Sequence, residues 1–463
     1  MVIAVIDVGK TSLKLATYSQ VGERLSLDTI SNTPVPCTHY LEPDVPATWS
    51  FILQGLSKNP LRHAITDVIA SGHGSCAYAI DGEGGTMPLP DYESSIPDEI
   101  DRRYRNEIGP PEEIGSGVSP GASHVAKQLF WLQEAIPERF MRIKHLLFSS
   151  QYWAWRLSGV MSAELTSLTA QSHLWNARMG HFTSIVRRRS WTRFFPHLYK
   201  PADVVGTITE AVARATGLNP GVRVHCGVHD STANFYRFQT KGFRYFCLLS
   251  GGTWLVSMSD MHQAQRAARF DVTDHISPQG SPFYSVRSMV GREFDSISGG
   301  HRETIAVDQV IACMRQGVMA LPSFVNRDGC VTGSAGRGRI VGNDGHFDQL
   351  RPAIGLLYYA LIAHLSLQAF PPSGAIVVDG NIASQPVFGS LIAALNRARD
   401  VCMFATVDGT LRGAALLAGA HMDNSAAIDL PRLTPNEVAL VTNYARIWAE
   451  SVHREYEGRE SHV

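Results

Sequence analysis

Two stretches far apart in the chain share one pattern, and that pattern narrows the folds open to it. Val2-Ile3-Ala4-Val5-Ile6 is a continuous apolar run, the mark of a strand buried on both faces, and Asp7-Val8-Gly9-Lys10-Thr11 follows it. Beyond the turn, Leu13, Leu15 and Thr17 alternate with Lys14, Ala16 and Tyr18 until Gly22, which predicts a second strand. Tyr245-Phe246-Cys247-Leu248-Leu249 is another such run; Ser250-Gly251-Gly252-Thr253 turns the chain and Trp254-Leu255-Val256-Ser257-Met258 returns it. Gly251 and Thr253 match Gly9 and Thr11. A polar-tipped hairpin opens each half, which predicts two domains of one kind. The length of 463 residues, too long for one ordinary core, predicts two as well.

The letters Gly9-Lys10-Thr11-Ser12 invite comparison with a nucleotide-binding P-loop, and the neighbouring residues reject it. That loop needs a glycine where Ala4 stands, and it must lead into a helix whose first amides hold phosphate. A strand follows here instead. Amides in such a hairpin turn can still cradle phosphate oxygens as a nest, and Gly9 lets backbone approach a ligand. Asp7 is placed to face a hydrated Mg²⁺, an ion that takes few carboxylates and keeps its waters. A plain hairpin turn accounts for the first stretch equally well; the second copy weighs against it.

Between the copies lies Val222 to Val228, which reads as a strand, with Asp230 where it ends and a helix begins. A strand-end carboxylate facing a cleft suits a general base; an N-cap for the following helix is the other reading, compatible with the first. A zinc site from His225, Cys226 and His229 is disfavoured because no second ligand cluster of suitable spacing exists.

Composition excludes several classes. The net charge of −1 recruits neither nucleic acid nor an acidic membrane, and Arg187-Arg188-Arg189 is too short a run for an address, so it reads as a solvated helix face. Seven scattered cysteines predict reduced thiols and a cytoplasmic protein. Asp7 interrupts the first apolar run, which therefore does not read as a signal peptide. The stretch Ala353 to Phe370 is shorter than the ~20 residues of a membrane span and contains His364, so it is expected to be a buried helix.

The three stretches together resemble the FGGY family of carbohydrate kinases, within the ribonuclease-H/actin-like ATPase superfamily. The family's Asp-x-Gly-Thr-Thr-Ser-x-Lys/Arg turn resembles Asp7 to Lys14, with Lys10 in place of the first threonine. Its base-carrying segment resembles Gly227-Val228-His229-Asp230, and its Ser-x-Gly-Thr turn resembles Ser250 to Thr253. Lys127 to Gly159 is similar to its Lys-Leu-Leu-Trp-Leu region, Val377 to Leu395 to its adenine-side glycine turn and helix, and Leu411 to Ala420 to the Gly-Ala-Ala helix of its second domain. Two departures stand out. Gly380-Asn381 replaces a Gly-Gly pair, and the family's Trp/Tyr-x-Asp-x-Arg on the sugar side gives way to Pro-Leu-Pro-Asp-Tyr-Glu-Ser, with no matching arginine.

The resemblance implies an α/β protein of two ribonuclease-H-like domains flanking a deep interdomain cleft, the first over 1–231 with the sugar side and the second over 232–463 with the nucleotide side. It implies a kinase that moves the γ-phosphoryl group of ATP, with Mg²⁺, to a hydroxyl of a ketose, deoxyketose, polyol or sugar acid. Asp230 is then the base and Asp7 the metal-side carboxylate. Gly9, Thr11, Lys14, Gly252 and Thr253 contact phosphates, and Gly380 and Asn381 line the adenine or ribose region. A solvent-facing strand lysine is the alternative for Lys14. His73 and Gly74, Asp91, Tyr92 and Glu93, and His229 are sugar-side candidates; a structural histidine and an ordinary loop are the alternatives for His73 and for 91–93. Lys10 either adds a phosphate contact or points away. Two other functions stay open: an actin-like ATPase with a non-sugar substrate, and a silent sugar- or nucleotide-binding regulator. The partner is a small sugar; a homodimer is one option for the assembly.

Along the chain, Asn106 to Ala122 reads as a Gly/Pro-rich loop. Asp260 to His301 reads as irregular structure on the second domain. Thr434, Pro435 and Glu437 announce a final helix with a capping box, and Val438, Val441, Ala445 and Trp448 as its core face.

Overall fold

The computed structural model describes residues 1–261, 264–265, 270–301, 303–342, 348–406, 408–421, 423 and 425–457. The chain divides into two compact units: Met1–Gly242 with Thr273–Pro282 and Asp408–Asn424, and Phe243–Val272 with Phe283–Val407 and Ser425–Val463.

In unit 1, β1 (Val2–Val8) is buried along its whole length, as its unbroken apolar run predicts. It pairs antiparallel with β2 (Ser12–Ser19), from Val2↔Ser19 to Val8↔Leu13, and β2 pairs antiparallel with β3 (Arg24–Ser31), the mostly exposed edge. On its other side β1 runs parallel to β4 (Ile65–Gly72), which runs parallel to β5 (Arg223–His225) and to the short β6 (Val228–His229). The strand expected over 222–228 is thus two pieces. Gly227, at φ +96°, breaks it, and a Cβ there would lie 2.7 Å from the Ala70 carbonyl oxygen. Helix α1 (Ser149–Ser158) packs on β4, and α2 (Asp230–Thr240) leaves directly from β6.

Unit 2 repeats the same sheet. Strand β7 (Cys247–Gly251) pairs antiparallel with β8 (Leu255–Ser259), and β8 with β9 (Pro282–Ser288); β7 runs parallel to β10 (Ile376–Gly380), and β10 to β11 (Val401–Phe404). The order β3-β2-β1-β4-β5 and the order β9-β8-β7-β10-β11 are the same arrangement with the same strand directions. The duplication expected from the two hairpins extends over the five central strands of each unit.

The segment expected to be irregular, Asp260 to His301, contains β9 and helix α3 (Val290–Ser298); its residues 262–263 and 266–269 lie outside those described. Its mixture of glycine, serine and histidine hid a strand, Pro282–Ser288, in which polar and apolar residues share each face. Helix α4 (Arg351–Leu367) is the buried helix expected there. It is apolar enough to cross a membrane by length and composition, yet most of it is covered by unit 2. Helix α5 (Pro386–Leu395) follows the glycine turn.

The Gly-Ala-Ala helix, α6 (Gly409–Leu417), belongs to unit 1, which corrects its assignment to the second domain. The reason is close backbone contact. A Cβ on Gly413 would lie 1.9 Å from the Ala233 carbonyl oxygen of α2, so α2 and α6 cross with nothing between their backbones. A charge network closes the ends: Arg237 of α2 pairs with the fully buried Asp423 at 2.9 Å, and Asp408 takes Arg412 at 2.8 Å, Arg24 at 2.8 Å and the Tyr18 hydroxyl at 3.0 Å. The division at 231–232 expected from sequence would cut α2 one residue after Asp230; the chain instead crosses after Gly242 and returns to unit 1 twice.

The final helix, α7 (Pro435–Val452), has its capping box: Thr434 Oγ1 accepts from the Glu437 amide, and the Glu437 carboxylate accepts from the Thr434 amide. Val441 and Trp448 are buried, and Val438 and Ala445 pack against the core at its edge. The arginine run is only partly a solvated face. Arg189 is largely covered and held by Glu107 at 2.5 Å and Glu134 at 2.6 Å. All seven cysteines are free thiols.

Gly413→Ala is expected to lower the melting temperature by several degrees, the overpacking penalty being about 1–3 kcal/mol. An unchanged melt by circular dichroism would contradict the backbone contact between α2 and α6.

Candidate active site

The ends of β1, β4 and β6 bring together the polar residues of unit 1. Asp7 is buried near the end of β1, with Lys14 opposite it on β2 and Ser71 opposite it on β4. Lys14 Nζ is 3.8 Å from Asp7 Oδ2, while Asp7 Oδ1 is buried with no hydrogen-bond partner. Burial raises the Asp7 carboxyl from 3.8 to about 6; Lys14 opposes the shift and the Asp230 carboxylate adds to it. Asp7 ionised at neutral pH is therefore only partly compensated. That fits a hydrated Mg²⁺, which binds through one or two carboxylates and keeps most of its waters. Among the described residues no group of three or more His, Cys, Asp or Glu could hold a metal.

The residues of the zinc reading have other partners. His225 is engaged by Asp67 at 2.9 Å and by the Ala202 carbonyl, and the Cys226 thiol donates to Ser162 at 3.5 Å.

Asp230 is the first residue of α2, not its N-cap; His229 holds that position. The base and cap readings separate here: the carboxylate accepts from the amide and hydroxyl of Ser231 and lies 3.1 Å from His229 Nε2. The His229 ring is fixed by Thr232 on its other nitrogen, at 3.0 Å. Gly74 is a close-approach glycine, since a Cβ there would lie 3.1 Å from both His229 Nε2 and the Ala170 carbonyl. His73 shares its Nδ1 with the Gly74 carbonyl at 2.9 Å. Burial opposes charge on His73, but the Cys76 sulfur and the Asp230 carboxylate outweigh it and raise the ring to about 9. Asp7, Lys14, His73, His229 and Asp230 therefore form one polar cluster on unit 1.

The 91–93 loop joins this group. Tyr92 meets the His73 ring edge-on at 5.7 Å, and Lys10 reaches Asp91 at 2.5 Å. Of the two readings of Lys10, a phosphate contact or a side chain pointing away, neither describes what it does. Gly9 and Ser12 close the hairpin turn through a 3.1 Å amide–carbonyl bond, and Thr11 is exposed at its tip.

In unit 2, Gly252 closes the second turn onto the Trp254 carbonyl at 2.8 Å, and Thr253 is exposed beside it. Gly252, Thr253, Asn381, Ile382, Gly291, Phe294 and Tyr359 belong to the lining of a cavity of about 360 Å³. That is the size of a small-molecule site. Gly380 adopts φ +87°, and a Cβ there would lie 2.5 Å from the Gly251 carbonyl, so glycine is needed where the two strands end side by side. Asn381 is exposed at the cavity edge and does not fill it.

Several residues escaped the sequence reading. Gly291 is one: a Cβ there would lie 1.8 Å from the Gly252 carbonyl, so the start of α3 presses on the second turn. Tyr359, with a buried hydroxyl that has no partner, projects from the apolar α4 and could have been found as a polar-headed aromatic in an apolar run. Asp295 and His301 lay in the segment read as irregular. On unit 1, His275 stacks near His229 with ring centres 6.0 Å apart; no periodicity marked it.

Comparisons with known proteins identify the family and the fold. The N-terminal domain of the FGGY family of carbohydrate kinases matches residues 111–235, and the family's C-terminal domain matches residues 244–427. The first hairpin and the 91–93 loop lie outside both matches. The L-xylulose/3-keto-L-gulonate kinase of Escherichia coli (strain K12) is 26% identical over 247 residues, 49% of this chain and 47% of that protein. The L-fuculokinase of the same organism is 23% identical over 273 residues, 56% of each chain. The chain thus spans about half the length of the curated relatives it matches. Among solved structures, a carbohydrate kinase from Novosphingobium aromaticivorans superimposes with a TM-score of 0.84 at 28% identity, over 97% of this chain and all of that one. A xylulose kinase from Lactobacillus acidophilus shares the fold, with a TM-score of 0.81 at 14% identity over 99% of both chains.

The raised Asp7 carboxyl has a measurable consequence. The folded state holds this proton to higher pH than the unfolded chain, so ionisation of Asp7 removes up to about 3 kcal/mol of stability as pH rises from about 4 to about 6. Asp7→Asn, without Mg²⁺, is expected to melt above the wild type at about pH 7.5, with the advantage shrinking as pH falls toward about 4. A difference independent of pH would contradict the burial of an uncompensated carboxylate.

Proposed function

Because the chain belongs to the FGGY family of carbohydrate kinases, we propose that it transfers the γ-phosphoryl group of ATP to a hydroxyl of a small sugar, with Asp230 as general base. The observation that carries this is the placement of Asp230 at the start of α2, 3.1 Å from His229 and close enough to Asp7 to raise its carboxyl. Phosphoryl transfer asks for positioning and charge neutralisation more than for covalent chemistry. Asp230 would take the proton of the attacking hydroxyl. His229, 3.1 Å away, would hold that carboxylate in place.

When bound, Mg²⁺ supplies charge neutralisation of the transferring phosphate, and Asp7 is the residue that would hold it through water. Gly9, Thr11 and Lys14 are the phosphate-side residues of unit 1, and Gly252 and Thr253 those of unit 2. The unit 2 cavity, with Gly380 and Asn381 on its edge, would take the nucleoside. His73, Gly74, Tyr92 and His229 would face the sugar. The names of the relatives favour ketoses such as L-xylulose and L-fuculose as first candidates, with 3-keto-L-gulonate as the sugar acid.

A panel of these sugars, polyols and ATP-Mg²⁺ tests the reading through ADP release. One or a few sugars are expected to stimulate ADP formation strongly, and Asp230→Ala to lower kcat by roughly 10²–10⁴-fold with little change in the sugar KM. ADP released at the same rate without sugar would favour an ATPase with another substrate. Sugar or nucleotide binding without turnover would favour a regulator.

A further inference from the structure

Lys10 stands at the tip of the first hairpin, where the resemblance has threonine, and it is held away from solvent with 19% of its side chain exposed. Its ammonium donates to both oxygens of the Asp91 carboxylate, at 2.5 and 2.6 Å. Glu93 Oε2 is 3.6 Å away, and the Tyr92 ring lies under the charge at 4.9 Å. Asp91 is itself buried and organises its loop: Oδ1 accepts the Glu93 amide at 3.0 Å, its carbonyl accepts the Ser94 amide at 2.9 Å, and its own amide donates to Leu41 at 2.7 Å. Tyr92 continues to His73, whose amide donates to the Val8 carbonyl at 3.2 Å. The contacts form a closed ring from the hairpin through the 91–93 loop to the end of β4 and back to β1.

We propose that Lys10 is a positioning residue of the sugar side and not a phosphate ligand: it fastens the 91–93 loop to the phosphate hairpin. An ammonium has three protons, and Asp91 takes hydrogen bonds to both of its oxygens. Drawing Lys10 off to a phosphate would leave a buried carboxylate unpaired, which is strongly unfavourable. For the same reason its charge is not available to a sugar carboxylate. Tyr92 and His73, the two sugar-facing rings, then take their places from the same hairpin that carries Asp7.

This inference rests on the kinase reading for its consequence, while the fastening itself can be measured without catalysis. Hydrogen exchange of the ligand-free protein reads the loop directly. Lys10→Met is expected to speed exchange at the amides of 91–94 by about tenfold or more, since their protection depends on a held Asp91. In kinetics it is expected to raise KM for L-xylulose or L-fuculose about tenfold or more, with a smaller change in kcat and with ADP affinity unchanged within about twofold. Asp91→Asn should reproduce the pattern and Lys10→Arg should restore most of it. Unchanged exchange together with weakened ADP binding would overturn the proposal and make Lys10 a phosphate ligand. A loss confined to 3-keto-L-gulonate, with the neutral sugars unaffected, would overturn it in favour of a sugar-carboxylate contact. If the wild type turns over no sugar, the kinase reading fails, and the exchange result still decides whether Lys10 holds the loop.

Discussion

Asp7 is a carboxylate inside a strand that is covered on both faces, and the rest of the unit 1 site follows from accommodating it. A buried charge must be paired, neutralised or given a cation. Lys14 across the antiparallel ladder answers part of this at 3.8 Å, and Ser71 across the parallel ladder offers a small polar neighbour. One oxygen is left over, and the carboxyl responds by holding its proton to about pH 6. Asp230, on the neighbouring helix, adds negative charge to the same place; His73 and His229 bring the compensating donors. The group is the one for which a cation and a phosphate are proposed above.

The two units use one sheet for different ends. In both, an antiparallel hairpin meets a parallel strand so that a turn and a strand end lie side by side. Unit 1 fills that junction with charged side chains. Unit 2 fills it with glycines: Gly251, Gly291 and Gly380 each approach a neighbouring atom more closely than any Cβ allows. What remains is backbone and an open cavity of about 360 Å³, the size of a small-molecule site. The chain then returns to unit 1 for α6, whose Gly413 lets it lie directly on α2 and so steadies the helix that begins with Asp230.

Much of this was legible in the sequence where local pattern and tertiary role coincide. The unbroken apolar run of β1, the alternation of β2 and the Thr434–Glu437 cap each carry their structure in a few neighbouring letters, and each is found as read. Asp7 and Asp230 drew notice as candidates because each stands close to where an apolar strand gives way to a turn or a helix. Features made by distant contacts were not legible. Nothing near Leu411 says that α6 packs on α2, and nothing near Thr273 says that this segment joins unit 1. Lys10 shows the limit most clearly. Its partner is 81 residues away, and its role depends on a loop whose sequence departs from the family pattern.

The proposed role of Asp230 as the base that activates a sugar hydroxyl toward ATP is tested by following the label from γ-³²P-ATP into products with and without sugar. Label is expected in a sugar phosphate in a one-to-one ratio with ADP, and almost none there for Asp230→Asn. Label appearing as inorganic phosphate at the same rate whether or not a sugar is present would contradict it.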